Sequence, residues 1–467
     1  MRNSDSSLFA IFLAAVLTWN VSFSQDLTHP LDMDLPSSNF QRPDPVDYLL
    51  AMDNGLVAYI ASAKQVPLVT LSAFIKAGKA SDAQQGAAEV LLDALKNAGP
   101  SDSSPAEFKR LLRHMTARYT VDMHDEWMEI SLNVPTEDLD AALPLFAAVI
   151  QSPALSSESI DKFASNRGSS GSDLGGESGP ALYEGSLGAA VDKFYEVLYD
   201  GHPFGSKPTA EDFAKLELED VRKFHSDYFV PGNMTLAVAG DIDYRSIETA
   251  LSDLFGEMEF RDSPAPANVP GIRRANSRQH TLPAKKLQSW LVFGHDLPRV
   301  PVDDQAALEV MNYILAGGHL YTRMTVETRY KYGYTNDASG FLEDRWFGPG
   351  SYTFRSYSRP EVIKPIYDNM MNEIYRIRRE LVSDEDLFIA KGALTDGTFQ
   401  LQYLDGYSTV RNFAIERLRY GNHTRSSTYI ERIRSVTAED VRDAANKYIE
   451  PDQMQVILVG EPVELLN

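Results

Sequence analysis

The segment EDVRKFHSDYFVPGNMTLAVAG, Glu219 to Gly240, returns without a gap as EDVRDAANKYIEPDQMQVILVG, Glu439 to Gly460, at an offset of 220 residues. Glu219, Asp220, Val221, Arg222, Tyr228, Pro231, Met234 and Gly240 each meet an identical residue in the second copy. A repeat of this length is too long for a solenoid unit, so it points to two copies of one globular domain. Each copy reads as a helix, a turn at the proline and an apolar strand, at Met234–Ala239 or Met454–Val459.

Neighbouring patterns extend this reading. Tyr48–Ile60 predicts two strands about an Asn54-Gly55 turn, and Leu68–Ala77 a further strand. Ala88, Leu91, Leu92 and Leu95 fall on one helical face. In the second copy Gln288–Phe293 predicts a strand, and Asp304–Leu315 a helix stopped by Gly317-Gly318. Strict βαβ alternation is absent, so the expectation is α+β: two tandem homologous domains, each a sheet with helices on one face. The expected boundaries are 48–260 and 284–467, joined by a proline-rich linker at 261–283.

The N-terminus reads as an export signal. Arg2 precedes the apolar run Leu8–Leu17, and Ser22 and Ser24 are small residues before a cut at Gln25. That run is shorter than the roughly 20 apolar residues of a membrane span, although an uncleaved anchor is the competing reading. Residues 1–24 are thus expected to be a signal peptide and 25–47 an extended leader, with a periplasmic destination in a bacterium. A formal charge of −22 repels phosphate backbones and argues against nucleic-acid partners. The absence of cysteine removes disulfides, thiolate metal sites and a cysteine nucleophile.

The nine histidines offer no pair three to five residues apart, so a helical two-histidine metal site is excluded. His124, Asp125 and Glu126 have ligand-like chemistry, but strand alternation would separate them, and a solvated strand is the favoured reading. The serine–glycine run Ser165–Pro180 reads as a surface loop; it lacks the GK[ST] ending of a phosphate cradle.

Several segments in order resemble the M16 metallopeptidase family, the group of pitrilysin, insulin-degrading enzyme and mitochondrial processing peptidase. They are Asn54–Leu56, Phe74–Ala80, Gly86-Ala87-Ala88, Gly201–Gly205, Glu219–Pro231, Asn312–Gly318, Arg323 and Arg329–Tyr334, spread over about residues 48–465. The resemblance implies two α+β halves forming a half-chamber of a clamshell that closes on peptides.

It also locates what the chain lacks. The family carries an inverted zinc motif, His-x-x-Glu-His, in which two histidines hold zinc and the glutamate activates water. The aligned residues here are Glu89, Leu92 and Asp93, two acids at the ligand positions and a leucine at the general-base position. A leucine accepts no proton, so catalysis by that route is lost and no catalytic residue is assigned. The third ligand would fall in the loop at 165–172, which has no acid; Asp173, Glu177 and Glu184 are the substitutes at hand. Glu89 and Asp93 read as an exposed acidic face assisted by Lys96, with a hard-ion site as the alternative. Active relatives also use an Arg and a Tyr seven residues apart to grip the substrate backbone; here these positions are Arg329 and Asn336. A surface or inter-domain salt bridge is the other reading of Arg329.

The expected function is therefore that of a non-catalytic subunit in a periplasmic heterodimer, binding no cofactor itself. Its partner would be an M16 chain with an intact motif and zinc, and its ligand an extended or unfolded peptide. A stand-alone peptide-binding scaffold is the alternative, and a metallopeptidase with atypical ligands a third.

Overall fold

Two sheets built to the same plan organise the chain in the computed structural model. It describes residues 40–158, 160–161, 163, 186–205, 208–261, 263–264, 272, 277–285 and 287–466. The expected signal peptide, most of the leader, the serine–glycine run and the three substitute ligands Asp173, Glu177 and Glu184 lie outside these residues.

The first half contains β1 (Leu49–Ala51), β2 (Val57–Ser62), β3 (Leu68–Ile75), β4 (Arg118–Met123), β5 (Met128–Pro135) and β6 (Met234–Gly240). Its longer helices are α1 (Ala87–Asn97), α2 (Pro105–His114), α3 (Leu139–Gln151), α4 (Leu187–Leu198), α5 (Leu218–Tyr228) and α6 (Tyr244–Phe255). The second half supplies β7 (Arg278–Pro283), β8 (Ser289–Leu297), β9 (Ala338–Glu343), β10 (Gly350–Ser358) and β11 (Gln455–Gly460). Its helices are α7 (Val302–Asn312), α8 (Ile363–Arg379), α9 (Asp384–Gly392), α10 (Gly406–Tyr420), α11 (Thr424–Ser435) and α12 (Ala438–Tyr448).

The first sheet runs β1-β2-β6-β3-β5-β4 and the second β7-β11-β8-β10-β9. Setting β1 aside, the orders correspond strand for strand, and in each sheet the first remaining pair is parallel and the others antiparallel. The 220-residue offset carries Arg118–Met123 onto Ala338–Glu343 and Leu218–Tyr228 onto Ala438–Tyr448. It also carries Val57–Ser62 onto 277–282, within one residue of β7. Arg278–Pro283, expected to belong to the linker, is thus an edge strand paired in parallel with β11.

The predicted hairpin turn is present, with Gly55 at φ +84° where an L side chain would be strained. One face of the first sheet presents Ile60, Leu71, Ile75, Ile130, Leu132, Leu236 and Val238 to a core closed by residues of α1, α3, α5 and α6. The second face alternates with the first and carries Tyr59, Ala61, Ser72, Glu129, Ser131, Thr235 and Ala237. Helices on one face only were expected here. The second face is instead covered by α10, a helix of the other half: Thr235 Oγ1 donates to the Ala414 carbonyl at 3.0 Å, and Tyr407 Oη lies 2.8 Å from Ser72 Oγ.

Reciprocally, α4 of the first half lies on the second sheet, where Ala190, Phe194 and Tyr199 pack with Val292, Ile457 and Val459. The offset places Leu187–Leu198 at 407–418, inside α10, so the exchanged helices are equivalent elements. Small residues on the sheet faces, Ala61, Ala237 and Ser72, let the helix approach closely. A Cβ added at Gly406 would stand 3.2 Å from Ala61 Cβ.

Candidate functional site

Helix α1 begins at Gly86, φ +103°, where a Cβ would meet the Phe213 ring at 2.8 Å. Half-buried Asp82 precedes it and caps it: Oδ2 accepts from the backbone N–H of Gly86 at 2.9 Å and of Ala88 at 3.2 Å. Burial pushes the Asp82 carboxyl up to about 6, against these hydrogen bonds, and the nearby charge of Glu89 adds to the rise. Val90, Leu91, Ala94 and Leu95 turn into the core, half-buried Leu92 packs against its edge, and Glu89 and Asp93 are half-buried.

Asp93 is held within its own helix by Asn97 Nδ2, which donates to Oδ1 at 2.8 Å. Asn97, and not the expected Lys96, is its partner. Two carboxyls one turn apart, with a leucine at the general-base position, lack the imidazole nitrogens that a catalytic zinc site of this kind combines with a carboxylate, and carboxylates alone suit harder ions. Among the described residues no three His, Asp or Glu side chains group closely enough to hold a metal ion. Helix α1 does not fit zinc, and no hydrolytic step is assigned to it.

Arg329 and Asn336 meet elsewhere. Both line an open cleft of about 630 Å³ in the second half, and neither Glu89, Leu92 nor Asp93 does so. Residues Val326–Lys331 form a wide helical turn with i to i+5 hydrogen bonding, which carries Arg329. Gly333, φ +64°, then reverses the chain, with its N–H on the Arg329 carbonyl at 2.9 Å. Arg329 Nη1 donates to the Asn336 carbonyl at 3.1 Å, so Asn336 contributes its backbone to the pair. Among the described residues Arg329 forms no salt bridge. Arg323 upstream is paired with Asp386 of α9 at 3.0 Å.

The rest of the cleft was not foreseen. Tyr330, Tyr334 and Tyr357 line it together with Gln288, Ser358 and Arg359. The turn is stapled to the end of β10, where Thr335 Oγ1 donates to the Tyr357 carbonyl at 2.7 Å and Ser358 Oγ to the Tyr334 carbonyl. Tyr334, two residues short of the family position, reaches the same cleft through this turn. Arg359 follows the last residue of β10, and no motif marks it.

The His124-Asp125-Glu126 cluster is not a solvated strand. It forms the turn between β4 and β5 and grips the second half. The buried Glu126 carboxylate accepts the backbone N–H groups of Trp346, Phe347 (2.7 Å) and Gly348 (2.8 Å), and Asp125 pairs with buried Arg345. Trp127 stacks on Trp346 with ring centroids 5.6 Å apart.

Residues 215–394 match the family described as Peptidase M16 inactive domain. An uncharacterised zinc protease of Mycobacterium tuberculosis is 25% identical over 261 residues, 55% of this chain and 59% of that protein. The match thus spans about three fifths of that relative's length. A crystal structure of a peptidase M16 inactive domain from Pseudomonas fluorescens superposes with a TM-score of 0.74 at 18% identity, covering 90% of this chain and 99% of that one. The periplasmic protease PqqL of Escherichia coli superposes with a TM-score of 0.69 at 14% identity, covering 97% of this chain but 50% of that one. Among the described residues no helix is long and apolar enough to cross a membrane.

Proposed function

We propose that this chain, which belongs to the M16 peptidase family, is the non-catalytic subunit of a periplasmic peptidase heterodimer. In this role it completes a peptide-holding chamber for a partner that carries zinc and an intact His-x-x-Glu-His motif. The observation that carries the reading is the split between its two sites. Helix α1 carries Glu89, Leu92 and Asp93 where the family resemblance would put ligands and base, while the Arg329 cleft is formed and hydrogen-bonded to the end of β10.

Such a cleft holds without cutting: Arg329 offers N–H donors to peptide carbonyls, and an extended peptide can add to the edge strand β9 by backbone pairing. That this chain matches half the length of PqqL supports a chamber made from two such units. Export to the periplasm rests on the sequence of residues 1–24.

Coexpression with an M16 chain that keeps its zinc motif tests the reading. A stable complex with a raised kcat/KM on peptides is expected. Separate elution with an unchanged rate overturns it. Peptide binding by this chain together with no complex with any such partner favours the stand-alone scaffold instead.

A further inference from the structure

The cleft differs in charge from the rest of the molecule. The chain has 66 acidic and 44 basic residues, yet the cleft is lined by Arg329 and Arg359 and by no aspartate or glutamate among the described residues. Arg359 is exposed and stands within ion-pair distance of no carboxylate there. Arg329 spends one N–H on the Asn336 carbonyl and keeps its remaining donors. Both guanidiniums are held on fixed backbone, one on the wide helical turn and the other beyond β10, with Ser358 and Thr335 tying the two together. Tyr330, Tyr334 and Tyr357 are also among its lining residues.

We propose that this cleft recognises a peptide carboxylate next to an aromatic or apolar side chain, with Arg359 and Arg329 as the anion-binding pair. The inference rests on the peptide-holding role above and specifies its ligand. A planar guanidinium matches a carboxylate with paired, charge-assisted hydrogen bonds, which a neutral amide cannot equal. The molecule's overall negative field is screened beyond about 8 Å at physiological salt, so the two arginines set the potential inside the cleft. The tyrosine faces accept an apolar neighbour, and Tyr330, Tyr334 and Tyr357 add hydroxyls at the rim. The carboxylate has two possible sources, a free C-terminus or an acidic side chain.

Four N-terminally labelled hexapeptides separate these sources by fluorescence anisotropy on the mature chain. They carry a free acid or an amide at the C-terminus, and Asp or Asn beside one Phe. Removing the recognised carboxylate is expected to weaken binding about tenfold, the worth of a charge-assisted hydrogen-bond pair. Arg359→Gln should reproduce that loss for the charged peptide and leave the neutral one unchanged; Arg359→Lys should fall between. Loss in the amide arm assigns the C-terminus, and loss in the Asn arm assigns the side chain. Equal affinity for all four peptides, unmoved by Arg359→Gln, overturns the carboxylate inference while the peptide-holding role stands. If none of the four binds, the role itself fails, and the inference with it.

Discussion

Glu126 offers the sharpest quantitative test of how the two halves are joined. Its carboxylate is 5% exposed and accepts three consecutive backbone N–H groups of the other half. Glu126→Ala strands these donors. Those of Trp346 and Gly348 are buried and that of Phe347 partly so, and a buried unsatisfied donor costs about 1–3 kcal/mol. Counting the two buried groups fully and allowing water to reach the third gives a loss of about 2–6 kcal/mol. Glu126→Gln keeps one oxygen, enough for the two N–H groups now on Oε1, but turns an amide NH2 toward Trp346; about 2 kcal/mol is expected. Glu107→Ala, whose side chain is 51% exposed, serves as the control and should stay within about 0.5 kcal/mol. Urea unfolding followed by tryptophan fluorescence reads the contact directly, because Trp127 and Trp346 stack across it at an interplanar angle of 3°. A Glu126→Ala midpoint equal to that of the control, or Gln as damaging as Ala, would refute the reasoning.

Asp82, pushed up to about 6 by burial, binds a proton more tightly in the folded chain than in the unfolded one, so stability should fall as pH rises from about 4 to 6. Asp82→Asn should flatten that limb of the stability profile and raise stability at pH 7 by on the order of 3 kcal/mol; an unchanged slope would show that Asp82 is not its source. Phe413→Ala, at a fully buried position on α10 ringed by Tyr48, Tyr59, Tyr403 and His423, should cost about 3–5 kcal/mol. Hydrogen exchange should then quicken in β6 as well as in α10; protection lost from α10 alone would argue against the packing described. Metal analysis of the purified chain should find zinc well below one per molecule and a Tm indifferent to chelator. Stoichiometric zinc with a chelator-sensitive Tm would favour the metallopeptidase reading over the non-catalytic one.

How much of this was legible in the sequence depends on which interactions are local. The helices and strands of the repeat were, because periodicity and turn residues act over a few positions. β7 was hidden by its composition: RQHTLP is polar and ends in proline, and it forms a strand because β11 offers it a parallel edge. The offset alone could have found it, since Val57–Ser62 predicts a strand at 277–282. The helix exchange was not legible, because amphipathicity shows that a helix buries a face without naming the sheet that covers it. Glu126 was misjudged because strand alternation was extended through a turn, and because its partners are backbone N–H groups some 220 residues away, which no side-chain pattern encodes. The identities of Glu89, Leu92 and Asp93 are plain in the sequence, while their correspondence to the family motif rests on the resemblance. Arg329 and Asn336 were paired by the family resemblance, but the part played by the Asn336 carbonyl and the arrival of Arg359 depend on the turn at Gly333 and the end of β10.

The helix exchange also bears on where motion can occur. To separate the halves, α10 must leave the first sheet, exposing Val410, Phe413 and Leu418 and breaking the paired hydrogen bonds of Arg411 to Glu129, of which the shorter is 2.6 Å. At about 1.5–3 kcal/mol per large apolar side chain, those three alone cost about 5–9 kcal/mol. Helix α4 leaving the second sheet exposes Phe194, Leu198 and Tyr199 and adds a similar amount. The sum, about 10–18 kcal/mol, matches or exceeds the whole stability of a typical folded domain, about 5–15 kcal/mol. Parting the halves would therefore amount to unfolding them, and the clasp at Glu126 raises the cost further. In the proposed chamber, a chain tied in this way would serve as one valve. If the proposed chamber opens and closes on peptides, its hinge lies between this chain and another.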